Sequence, residues 1–252
     1  STIVQNKANE YLLADVSFSD LKISLFSDFP NASVVIPDLV VAGVDTFAND
    51  TIVKASSIKI SVNLKSLLSK SGVTIKKVIL EKPVINAIAL EDGSANWEIL
   101  RPDTSKYIVE DTSAVNFDLN MIRIKDAAIN YSDFKGGMNV CIRNWNGSVK
   151  GKFSSRRTIL KMLSEMASVS FTYGKLELLN DVRLNTNINL DADFENNKYT
   201  FGKNEIGIND LKLSFEGFVA LPDTSTTRFN VKLNTAGLNL KSLLSLVPAV
   251  YK

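Results

Sequence analysis

The chain has 252 residues, enough for one large domain or two small ones. It is 45% hydrophobic, and 29 basic against 27 acidic residues leave a net charge of +2, which argues against a nucleic-acid surface. There is no histidine and one cysteine, Cys141, so Ser-His-Asp and Cys-His nucleophiles, histidine-ligated zinc, CxxC sites and intrachain disulfides are excluded.

No apolar run approaches the roughly 20 residues that a membrane helix needs. No signal peptide is present. The chain starts at Ser1 rather than methionine, which leaves room for a removed anchor or leader. Residues 1–15 read as a short helix, with apolar positions from Ile3 to Ala14 at helical spacing. Residues 16–252 read as one elongated β domain, with a candidate joint at 101–113.

Beyond the helix the period changes to two. Ile58, Ile60, Val62 and Leu64 alternate with Lys59, Ser61 and Asn63, as in a strand with one apolar and one wet face. Val115, Phe117 and Leu119 repeat the pattern, as do Leu184, Ile188 and Leu190, and then Phe229, Val231 and Leu233. Turns are expected at Asp92-Gly93, Gly136-Gly137, Asn146-Gly147, Asn196-Asn197 and Pro222-Asp223. Arg156 to Ser168 fits both a helix and a strand, and its neighbours favour a strand. Strands at short spacing with such turns indicate an all-β meander. The heptapeptide from Asn63 to Ser69 recurs from Asn239 to Ser245, each copy after an alternating strand. It reads either as a strand-ending helical turn used twice or as a duplicated unit.

Chemistry is sparse. Glu91-Asp92, Glu110-Asp111 and the Asp191/Asp193 pair sit beside turns or on wet faces, where solvated charge is the simpler reading. Asp191 and Asp193 share one strand face and are weighed as calcium ligands, but no Asp-rich loop accompanies them. No glycine-rich phosphate loop occurs. Cys141 lies in an apolar strand and reads as a buried, inert thiol. Trp97 and Trp145 read as packing residues near turns rather than sugar platforms.

The remaining feature is apolar strand faces, too many for the few helices to cover. Either the sheet closes into a sandwich or barrel, or it curls into a trough whose interior holds something greasy. A trough would expose a large apolar surface and so implies bound lipid. The candidate lining is Ile58, Ile60, Val62, Leu64, Val115, Phe117, Leu119, Leu184, Ile188, Leu190, Phe229, Val231 and Leu233.

Several motifs resemble the AsmA family of envelope proteins, in its Bacteroidetes-type form. They are Leu25 to Ser33 with its Phe29-Pro30; Ile75 to Ile85 with Pro83; Asp92-Gly93-Ser94-Ala95-Asn96-Trp97, the most specific; Ile122 to Asp133, where Ala127 replaces a usual glycine; and Ile208 to Leu213 with Gly217. The resemblance runs over most of residues 16–252. It implies an elongated, curled antiparallel sheet like those of bridge-like lipid transfer proteins. It also implies phospholipid or another acyl-chain lipid as partner, a role in outer-membrane biogenesis, and a membrane anchor before the first helix. The location implied is the periplasmic face of the inner membrane. It carries over no catalytic residue, metal or cofactor. The second reading is a closed β-sandwich that assists outer-membrane protein assembly.

Overall fold

A computed structural model of the chain describes residues 2–48, 50–67, 74–101, 116–222 and 226–235. Helix α1 (Thr2–Tyr11) leads into β1 (Ala14–Ser17), β2 (Lys22–Asp28), β3 (Asn31–Gly43) and β4 (Thr51–Asn63). The short helix α2 (Leu64–Leu67) precedes β5 (Thr74–Glu81), β6 (Val84–Ala89), β7 (Asn116–Asp133), β8 (Met138–Lys150) and β9 (Arg157–Tyr173). The last strands are β10 (Leu176–Asp193), β11 (Lys198–Ile208), β12 (Leu211–Ala220) and β13 (Arg228–Thr235). The segment from 156 to 168 is therefore strand. The joint expected at 101–113 and the second copy of the heptapeptide lie outside the described residues, apart from Arg101.

All 13 strands form one sheet, in the order β1-β3-β4-β5-β7-β8-β9-β10-β11-β12-β13, with β2 beside β3 and β6 between β4 and β7. Neighbours are antiparallel except at β7, which runs parallel to β5 and β6. The expected antiparallel sheet thus has one parallel joint. A hairpin cannot join parallel strands, so the long connection from Ala89 to Asn116 must bring the chain back to its starting side. Among the described residues the two ends of this order do not pair. Over the described residues the sheet is therefore open, one sheet rather than the two of a closed sandwich.

The sheet has no core of large side chains. Among the described residues twelve apolar side chains are buried, and six of these are alanine. The largest fully buried residues are Asn96 and Asn204. A packed second layer would bury leucines and phenylalanines instead.

A line of left-handed residues crosses the middle of the sheet. Asp126, Asn144 and Asp181 have φ of 51°, 50° and 51° and stand inside β7, β8 and β10, where the registers shift. Each is a bulge, which adds one residue and resets the alternation so that apolar side chains return to the same face. Side chains bridge the gaps. The Asp126 N–H donates to Asn146 Oδ1 at 3.0 Å, and Asn144 Nδ2 donates to Asp126 Oδ1 at 2.8 Å. Asn146-Gly147, expected as a turn, is therefore the interior of β8. Asn and Asp tolerate positive φ in bulges and in turns alike, so composition does not separate the two.

The described part of the first heptapeptide copy, residues 63–67, is a capped turn. Asn63 Oδ1 accepts the Ser66 N–H at 3.2 Å, and the Ser66 hydroxyl donates to the Asn63 carbonyl at 2.7 Å. Ser66 Oγ also accepts the Thr74 N–H at 2.9 Å, tying the start of β5 to α2.

Ion pairs fasten the strand ends. Arg157 donates twice to Asp191, at 2.9 and 2.6 Å, and this pairing lowers the Asp191 pKa. Hydrogen bonds from Asn196 lower that of Asp193, and those from Lys76 and then Ser154 lower that of Asp118. A depressed folded-state pKa contributes stability that is present above the unfolded value, about 3.9 for Asp, and is lost as pH falls through the folded one. The melting temperature should therefore be level above about pH 5 and fall below about pH 4. Asp191→Asn should flatten that acid limb in a melting series across pH.

Candidate functional face

Directly paired residues in a ladder share one face of the sheet. Following the pairs sideways from β3 gives the row Val34, Ile60, Val78, Ile122, Val149, Met162 and Ile188. Seven consecutive strands each contribute one apolar side chain. Six steps of about 4.8 Å make this row about 29 Å long. One leaflet of a bilayer core is about 15 Å thick, so the row is about twice as long as an acyl chain in a membrane.

A second row runs from Ile36 through Ile58, Leu80, Ile124, Gly147, Ser164, Thr186, Ile206 and Leu213. Its polar members are partly satisfied. The Trp145 indole donates to Ser164 Oγ at 2.6 Å, and a β-carbon on Gly147 would lie 3.0 Å from that indole nitrogen. A third row, Leu160, Leu190, Phe201, Gly217 and Val231, carries the face outward to β13.

The opposite face is mixed, with polar residues interrupted by Val35, Ile79, Ile159 and Leu163. It holds Lys59 and Ser61 of β4, Arg123 of β7, Lys161 and Glu165 of β9, Asn185 and Asn187 of β10, and Lys232 of β13. Along β9 and β10 the apolar-row residues are half-buried or buried while their polar-face neighbours are mostly exposed. In a one-layer sheet curvature provides such shelter, so the apolar face is the inside of the curl there.

Of the expected lining, Ile58, Ile60, Leu184, Ile188 and Leu190 lie on this face and are half-buried. Val62 shares the face but is enclosed, at 3% exposure. Leu64 is not a strand residue; it opens α2, because Asn63 caps a helical turn there. Val115 lies outside the described residues, as does the side chain of Phe117, whose Cα stands opposite Ile75. Leu119 is half-buried where the β5–β7 register shifts. Phe229, Val231 and Leu233 face the same way on the outermost strand, at 72%, 40% and 68% exposure. Sequence reasoning missed Val34, Val78, Ile122, Val149 and Met162. Val34, Val78 and Met162 have apolar neighbours on the other face as well (Val35, Ile79 and Leu163), and these hide the alternation.

The catalytic candidates are absorbed elsewhere. Asp92 accepts the Ser94 N–H and hydroxyl within its turn, and Asp191 is held by Arg157. Glu110-Asp111 lies outside the described residues. Among the described residues no three His, Cys, Asp or Glu side chains come together as a metal site. Cys141 is half-buried rather than buried, and it stands between Asn130 and Ser170. Trp97 stacks on Tyr131 at 6.0 Å. A hollow of about 630 Å³ beside Leu163, Glu165, Asn185 and Glu205 lies on the other face. No helix among the described residues is long and apolar enough to cross a membrane.

The described strands thus form one large sheet that carries a continuous apolar face. The AsmA family model matches residues 2–251, and the chain belongs to the AsmA family. Membership fits a cell-envelope protein in outer-membrane biogenesis, in a family not known for enzymatic activity. No curated protein and no solved structure matches the chain.

Proposed function

We propose that this protein holds phospholipid acyl chains along the apolar face and conducts them across the sheet, without catalysis. The reading extends to a site at the periplasmic face of the inner membrane, with outer-membrane lipid homeostasis as its outcome. The observation that carries it is the unbroken row from Val34 to Ile188. Each methylene laid on such a surface contributes about 0.8 kcal/mol on leaving water. Head groups stay at the open margin of the curl, in water.

A photo-crosslinking residue at Ile188 tests this, with Asn187 on the polar face as control. Covalent phospholipid is expected at 188 and absent at 187. Equal labelling at both positions, or none at either in folded protein, would sink the reading. The second reading is a scaffold that captures an envelope protein by strand addition. It is favoured by β13, whose eight residues pair with β12 without a bulge. It would lead if position 188 stays unlabelled.

A further inference from the structure

The largest group of exposed apolar side chains within one short stretch of the described residues lies on the β2–β3 hairpin. Ile23, Leu25, Phe26 and Phe29 fall within seven residues and are 69%, 47%, 84% and 74% exposed. An ordinary edge strand is defended by charge and carries no such group. The hairpin stands at the lateral end of the sheet where the apolar face begins. Ile23 pairs with Val34, and Val34 pairs with Ile60, so the exposed cluster is continuous with the long row. Helix α1 packs on β1, which flanks the other half of β3, and so lies at the same end.

A protein strand is a poor occupant for this edge. The β2 register breaks between Ser24 and Asp28, and the Ser27 N–H is taken by Ser24 Oγ at 3.1 Å. Strand addition needs a regular row of free donors and acceptors, which this edge lacks. Hydrocarbon needs no register, only apolar surface. The one carboxylate in the cluster, Asp28, is neutralised by Lys77 at 2.9 Å and turned towards the sheet. Exposed phenylalanines beside a fixed ion pair are the composition of an element that sits in the interfacial layer of a bilayer.

We propose that the β2–β3 hairpin inserts into a membrane leaflet and forms the mouth through which acyl chains pass onto the apolar face. This rests on the lipid-holding reading and adds the source of the lipid and the residues that meet it. Phe26 and Phe29 enter the leaflet, and Ile23 hands the chain to Val34.

The test uses the full chain and vesicles of phosphatidylcholine and phosphatidylglycerol. The parent is expected to float with the vesicles, and Phe26→Ser with Phe29→Ser to lower partitioning about tenfold or more. Phe134→Ser is the matched control. It removes another exposed phenylalanine, at 58%, from the β7–β8 hairpin, and should change nothing. Tryptophan at position 26 should be quenched by brominated acyl chains, and tryptophan at 134 should not. Both hairpin phenylalanines are exposed, so the double variant should keep its circular dichroism. If it does not, quenching of Phe26→Trp decides alone. A parent that does not float, a double variant that floats like the parent, or equal loss in Phe134→Ser would overturn the proposal. So would a parent dimer that the double variant converts to monomer without any change in flotation, since a second copy would then be the occupant. Lipid delivered in detergent micelles reaches the face without a membrane. Crosslinking at 188 in micelles without vesicle docking overturns this inference alone, and docking without crosslinking overturns the lipid-holding reading.

Discussion

Ile188→Lys should lower phospholipid crosslinked from a probe at Leu184 by about a hundredfold. A lysine among acyl chains costs about 2.5–3.5 kcal/mol on insertion scales, close to two factors of ten. Ile188 ends the seven-strand row and pairs with Met162, so its charge would stand in the path rather than beside it. The fold should survive. Ile188 is half-buried in a single layer, and a lysine there can lead its ammonium to water along its own stem. The loss of apolar contact costs the sheet about 1 kcal/mol. Asn187→Lys, one residue away on the polar face, should leave labelling unchanged. Lipid yields that are equal in the two variants would remove the apolar face from the mechanism.

The period-two runs in β4, β10 and β13 were legible because one face of each is polar at every position. Ile58 with Lys59, Ile188 with Asn187, and Val231 with Lys232 cannot exchange faces without burying a charge or an amide. The order of the strands was not legible. The parallel joint at β7 depends on where the chain travels between Ala89 and Asn116, and no local pattern encodes that. The bulge line was also hidden. Asp126, Asn144 and Asp181 have the residue types of turns, and only cross-strand register distinguishes a bulge from a hairpin. That line explains why the apolar face is longer than any single alternation implies. Ile124 and Ala127 are three residues apart in β7 yet pair with Gly147 and Trp145, two apart in β8. Openness, too, lies beyond composition. A chain with this hydrophobic fraction could have closed on itself, and what distinguishes the two outcomes is how few large apolar side chains the buried set holds among the described residues, Ile52, Leu160 and Leu211 being the largest. The Leu64 assignment failed for a local reason, since the alternation runs through Val62 and Asn63 then caps a helical turn.

The motif Asp92 to Trp97, the most specific piece of the resemblance, is structural, and Asn96→Ala should destabilise the protein by about 2–6 kcal/mol. Strand β6 pairs with β7 along its length but meets β4 only at Val84 and Ile85, so its outer edge from Asn86 to Ile88 lacks a strand. Asn96 takes that place. Its N–H donates to the Ile88 carbonyl at 3.0 Å, its Oδ1 accepts the Ile88 N–H at 3.0 Å, and its Nδ2 donates to the Asn86 carbonyl at 2.8 Å. The side chain is 2% exposed, so alanine would leave one donor and one acceptor of β6 buried and unpaired. Each such group costs about 1–3 kcal/mol. The turn before it is fixed separately by Asp92 and Ser94, so the loop would keep its shape while losing its grip on the sheet. Trp97 reports the change. It stacks on Tyr131 of β7 through this anchorage, and its emission should shift to the red in Asn96→Ala. Trp97→Phe keeps the anchor and should cost no more than about 1.5 kcal/mol. Urea midpoints for the two variants separate the roles. A midpoint for Asn96→Ala equal to that of the parent would mean that the loop merely rests on β6, and the motif would need another explanation.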